Sequence, residues 1–183
     1  MIKFLRENVY AAGFLLLLRV YLGWEWMTAG IHKLTGGFDA TGYLKGAVAN
    51  PVADKATGTL VYPTFNAFLE RFAIPNAKIF NVLIPIGETL VGLGLILGAV
   101  TATAAFFGIL MNFMFMFAGT VSTNPWMLLI GGIVMIAGAN AGKFGVDYYL
   151  LPLIRKVFKR EGKAGKGGKP TADGAKPNTP API

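Results

Sequence analysis

The chain has 183 residues, no cysteine and a single histidine, His32. Without a thiol it forms no disulfide, offers no thiolate nucleophile and holds no iron-sulfur cluster or metal through cysteine. One imidazole excludes a bis-histidine haem. A dinucleotide fingerprint is missing as well, because Gly92, Gly94 and Gly98 fall inside an apolar helical stretch and not in a strand-turn-helix context. No bound haem, flavin or iron-sulfur cluster is therefore expected from this chain, and redox chemistry would need a diffusible quinone or a partner subunit. Acids are also scarce, with 9 Asp and Glu against 17 Lys and Arg and a net charge of +8. The excess is not the footprint of a nucleic-acid binder. Arg155, Lys156, Lys159, Arg160, Lys163, Lys166, Lys169 and Lys176 all follow the last apolar stretch, the pattern of a cytoplasmic juxtamembrane tail. Membrane lipids of an anionic leaflet are the expected partner, and no nucleic acid is.

What the chain has in abundance is apolar surface: 54% of its residues are hydrophobic and the mean hydropathy is +0.55. That composition belongs to an integral membrane protein. A spanning helix needs about 20 mostly apolar residues, and windows of that kind lie at about 10–31, 79–99, 102–119 and 125–141. The expected fold is all-α: a four-helix transmembrane bundle over residues 1–160 with short interfacial helices in an outer loop, 36–77, and a basic C-terminal interfacial helix over 150–159. Residues 161–183, rich in Gly, Lys, Pro, Ala and Thr, are expected to form a disordered basic tail. Lys3 and Arg6 in the lead segment set the first helix to leave on the outer side near His32, which places both termini in the cytoplasm of a multi-pass plasma-membrane protein. No persuasive small-residue cleavage site follows that helix, so it reads as an uncleaved span.

In the outer loop, Asp39 can cap a helix over Thr41 to Ala49 closed by Asn50-Pro51, and Pro63 can open another over Thr64 to Phe72. Each is too short to span; they read equally as a lid over a site or as plain connectors. The turn from Gly98 to Thr101 permits only an antiparallel hairpin, and Gly92, Gly94 and Gly98 suit close helix contact. In the third span Ala105, Gly108, Asn112 and Gly119 make a small-residue face, and Pro125 takes the first position of the fourth helix.

The organising stretch is Arg19 to Lys33, RVYLGWEWMTAGIHK, which puts charges inside a membrane-length helix. Such groups are costly in a bilayer and normally face a protein interior or cavity. At roughly 1.5 Å per residue, Glu25 lies about 10 Å below His32, Glu88 about 15 Å below Lys78 and Asn112 about 10 Å below Gly119. Arg19 lies about 20 Å down on that scale. Tyr21, Glu25 and His32 share one stripe of the helix; Arg19, Trp26 and Lys33 share the adjoining one. Asn81 and Glu88, seven residues apart, share a stripe of the second span. The expected site is a pocket floored by Arg19, flanked by Glu25, Glu88 and Asn112, and opening outward past His32, Trp24 and Trp26. The plainer readings are an Arg19 ion pair with one acid, an interfacial His32, an aromatic belt for the tryptophans and Asn112 as interhelical glue.

These residues resemble the DoxX/DoxD family, four-helix membrane proteins that include the membrane subunit of thiosulfate:quinone oxidoreductase. The likeness runs from about Leu18 to Leu151, through RVYLGWEWMTAGIHKLTGGFDATGYLKG, IPNAKIFNVLIPIGETLVGLGLILG, MNFMFMFAGTVSTNP and NAGKFGVD. It implies a quinone-linked redox role at the outer membrane face, with or without a partner subunit; apart from the resemblance, a homo-oligomer is among the expected partners. On that implication Glu25 and Glu88 pass the protons, with His32 near them, and Arg19 holds a quinone oxygen or a thiosulfate oxyanion. Tyr21, Trp24 and Trp26 bound the ring, beside Asn81 and Asn112. The competing reading is a non-catalytic membrane binding or assembly protein for a redox partner or a lipophilic ligand. Ion transport is weaker, since no repeated halves with interrupted helices are evident.

Overall fold

In the computed structural model, which describes residues 1–164, the helices begin and end where the sequence supplies backbone partners or breaks them. Helix α1, Ile2–Glu7, stops at Asn8, whose extended backbone lets its side chain accept from the N–H of Tyr10 and Ala11 at 2.8 and 3.2 Å. That cap opens α2, Val9–Gly36, which ends on the left-handed Gly37. Asp39 accepts from Thr41 N at 2.9 Å and so starts α3, Ala40–Ala49. Pro63 opens α4, Pro63–Phe68, and the backbone then loosens into a π turn, Leu69–Ala73. Helix α5 is Ala77–Leu97, α6 Thr101–Phe117, and α7 Asn124–Ala137 followed by a 3-10 turn, Gly138–Asn140. Helix α8 is Asp147–Ala164. Among the described residues there is no strand, only an isolated bridge between Ala53 and Leu60 in the loop.

Two compact units divide the chain, Met1–Leu151 and Pro152–Ile183. In the first, α2 packs along α5, α5 on α6, α6 on α7 and α7 back on α2. Leu15, Leu22, Trp26, Leu95, Ile130 and Val134 fill the space between them. A second cluster, Ala40, Leu44, Leu69 and Ala73, fastens α3 and the π turn near the start of α5. Helices α2 and α5 are long and apolar enough to cross a membrane; α6 and α7 are apolar but shorter. The basic tail expected from 161 onward lies, beyond Ala164, outside the described residues.

The tightest contact is between α2 and α5. Gly23 and Gly92 face each other so closely that a Cβ on Gly23 would stand 2.9 Å from the Gly92 carbonyl oxygen, and one on Gly92 would collide with the Met27 backbone. The expected role of Gly92 in close packing is thus met. Gly98 instead ends α5 in the left-handed region, φ 63°, and Gly119, φ 86°, belongs to the turn after α6 and not to its small-residue face. Pro125 is the second residue of α7, after Asn124.

Candidate functional site

Near the end of the bundle where α3 begins, a cavity of about 210 Å³ lies between α2, α3, α5, α6 and the start of α7. One row of α2, spaced i, i+4, i+8, lines it with Glu25, Ala29 and Lys33, and Trp26 flanks that row. Helix α5 contributes Glu88, 1% exposed, which accepts both of its hydrogen bonds from Lys33 Nζ, at 2.9 and 2.7 Å. Lys33 starts farther along α2 than Glu25. Its side chain nevertheless reaches the cavity because helical Cα–Cβ bonds lean toward the N-terminus. The Phe38 ring lies 5.9 Å from the ammonium. Glu25 also lines the cavity and makes no ion pair or hydrogen bond among the described residues.

Aromatic groups and hydroxyls close the remaining sides. Phe115 packs against Trp26 at 6.4 Å and edge-on against Tyr43 at 6.2 Å between ring centres. Tyr43 shares a hydrogen bond of 3.1 Å with Thr120. Burial pushes the Tyr43 phenol above its ordinary pKa, the Thr120 bond opposes this, and the charge of Glu88 adds to the rise. Tyr43 is therefore a neutral donor at physiological pH. Thr120, Ser122, Thr123 and Asn124 complete the rim.

Arg19 does not floor this cavity. Its guanidinium donates to the carbonyls of Leu95 and Ile96 at 2.6 and 3.0 Å and to Phe144 O at 2.8 Å. Leu95 is seven residues from Glu88, roughly 10 Å along the helix. The last carbonyls of α5 have no intrahelical partners and carry the negative end of its dipole, so a buried cation settles there. Gly98 leaves the room, since a side chain there would collide with the guanidinium, and one on Gly145 would collide with the backbone of Leu97 and Gly98. Asp147 caps the other half of the hairpin, its carboxylate accepting from the N–H of Val100 and Thr101 at 2.6 and 2.9 Å. The segment is strapped down further by Val146 N to Leu97 O and Asp147 N to Gly98 O. The neighbouring Arg19 and Asp147 charges thus brace the turn between α5 and α6, and neither the expected pocket floor nor an Arg19 pair with Glu25 or Glu88 is found.

The DoxX family model matches residues 14–123, more than half of the chain. The chain belongs to the DoxX family. Neither the curated proteins nor the solved structures give a match to it. Most of the cavity walls lie within the DoxX match, Lys33 included, whereas the NAGKFGVD stretch with Asp147 lies past its end.

The other sequence-selected residues of this DoxX protein separate into three groups. Trp26 joins Glu25 and Glu88 at the cavity. Tyr21, Trp24 and His32 are exposed on the outer surface of α2, 46% and 64% for the first two. They do not line the cavity. Asn81 is used structurally: its Oδ1 accepts from Ala40 N at 2.7 Å and holds the start of α3 against α5. Asn112 is fully buried and does not line the cavity, and its Oδ1, like Trp26 Nε1, has no partner among the described residues. Lys33 is the residue that sequence reasoning missed. It stood on the Trp26 stripe, one turn from the end of the helix, and there it passes for an interfacial charge.

Proposed function

We propose that this DoxX protein is a multi-pass plasma-membrane protein in which α2, α5, α6 and α7 cross the bilayer with both termini in the cytoplasm. The cavity near α3 then opens toward the outer side, and its function is to bind a quinone for reduction to quinol. The observation that carries this reading is a carboxylate with no ion pair among the described residues, Glu25, in one aromatic-walled chamber with the Lys33–Glu88 pair. Quinone reduction takes up two electrons and two protons. An ammonium has three donors. Lys33 gives two bonds to Glu88, and its remaining N–H is available to a quinone oxygen, the role that sequence reasoning gave to Arg19. Glu25 and Tyr43 are the proton-carrying groups beside it, and Trp26, Phe38 and Phe115 bound the ring. The two electrons come from a second reductant, for which thiosulfate is the first candidate, two molecules each giving up one electron as they join through an S–S bond, or from a partner subunit.

Purified protein in quinone-containing liposomes, given thiosulfate, should bleach the quinone absorbance. Glu25→Gln and Lys33→Ala should each slow this at least about tenfold, the range of a positioned acid or base. Equal rates in all three proteins would remove the chamber from the chemistry. Saturable quinone binding with no reduction would favour a non-catalytic port for a lipophilic ligand that serves a redox partner.

A further inference from the structure

The polar chamber borders apolar space. Two of its walls, Tyr43 and Phe115, also line a second cavity of about 190 Å³ among α3, α4, α5 and α6. Two walls of that cavity, Leu83 and Met111, line a third of about 490 Å³ along α5 and α6. The carboxylates and the ammonium lie in the first chamber; Tyr43 is the polar side chain of the second, and Thr103 that of the third. Leu90 and Phe107 of the third are 60% and 50% exposed, so it opens on the outer face of the bundle.

We propose that the three cavities are one binding site for a single tailed molecule, with the ring in the polar chamber and the hydrocarbon tail leaving past the paired Tyr43 and Phe115 rings to lie along α5 and α6. This rests on the quinone reading above and narrows it to membrane-soluble quinones. Size supports it: 210 Å³ falls short of the roughly 300–1,000 Å³ of an ordinary small-molecule pocket, whereas the three adjoining spaces taken together reach it. Charge selects the head. Two carboxyl groups against one ammonium leave no surplus of cations, which disfavours fatty acids and anionic phospholipids and admits a neutral ring. Tyr43 is the positioning residue at the junction, its ring fixed by Thr120 on one side and Phe115 on the other.

The test uses full-length protein in lipid nanodiscs and two probes with the same dimethoxy-methyl benzoquinone ring, one without a tail and one with a decyl tail. Trp24→Phe and Trp126→Phe together leave Trp26 as the only tryptophan of the 3, so saturable quenching reports occupancy of the chamber. Ala118→Phe fills the second cavity, and Thr103→Phe fills the third from its exposed side. In both variants the Kd of the decyl probe should rise at least about tenfold while that of the tailless probe stays within about twofold. Unchanged decyl affinity in both, or equal weakening of the two probes in both, would overturn the tail route while leaving the quinone reading intact. Failure of both probes to quench Trp26 saturably in the parent protein would overturn the quinone reading as well.

Discussion

Replacing Lys33 with Met removes the two bonds that Glu88 accepts and leaves a carboxylate of 1% exposure with no cation. Breaking a buried pair costs about 3–5 kcal/mol. The lower end applies here, since Lys33 keeps 28% of its side-chain surface in contact with solvent. At about 2–4 °C per kcal/mol for a chain of this size, Lys33→Met should lower the Tm by roughly 6–12 °C. The two partners are not equivalent. Glu88→Gln orphans only the accessible ammonium, which can turn to water, so it should cost about 1 kcal/mol. The double variant Lys33→Met, Glu88→Gln should recover most of the loss, because no uncompensated charge remains. Thermal unfolding followed by tryptophan fluorescence in detergent measures all four proteins. Equal losses in the two single variants, or no recovery in the double one, would refute a buried Glu88 neutralised by Lys33.

Arg19→Met strips three carbonyls of a charged donor and should destabilise by about 3 kcal/mol or more, with faster hydrogen exchange at the end of α5 and little change in quinone affinity of the folded fraction. Asp147→Ala uncaps Val100 and Thr101 and should cost about 1–2 kcal/mol by the same unfolding measurement. Gly92→Leu drives a side chain into the Met27 backbone and should sharply reduce the yield of monodisperse protein on gel filtration, since overpacking of this kind costs about 1–3 kcal/mol or more. Tyr21→Ala, Trp24→Ala and His32→Ala, all on the exposed side of α2, should leave the liposome quinone assay within about twofold of the parent.

Helix positions and caps were legible in the sequence because they are local. Asp39 followed by an apolar run, Pro63 before another, and a glycine-rich hairpin each carry their own signal within a few residues, and α3, α4 and the α5–α6 turn appear where those signals stand. The fourth apolar stretch is helical from Asn124 to Asn140, tightening into the 3-10 turn after Ala137 where Gly138 adopts φ 59°. The joint appearance of Glu25, Glu88 and Trp26 at one cavity was also legible, from depth arithmetic along helices whose rise is fixed.

Which charge meets which was decided only by tertiary structure. Arg19 and Lys33 both lie on the Trp26 stripe, and one helix cannot say which of them faces Glu88. Antiparallel packing of α2 on α5 sets the register through the Gly23–Gly92 contact, and in that register Lys33 falls beside Glu88 while Arg19 falls beside the end of α5. The sequence alone thus determined an apolar all-helical chain with buried charges. Their partners follow from the relative slide of two helices, a displacement that no stretch of either one encodes by itself.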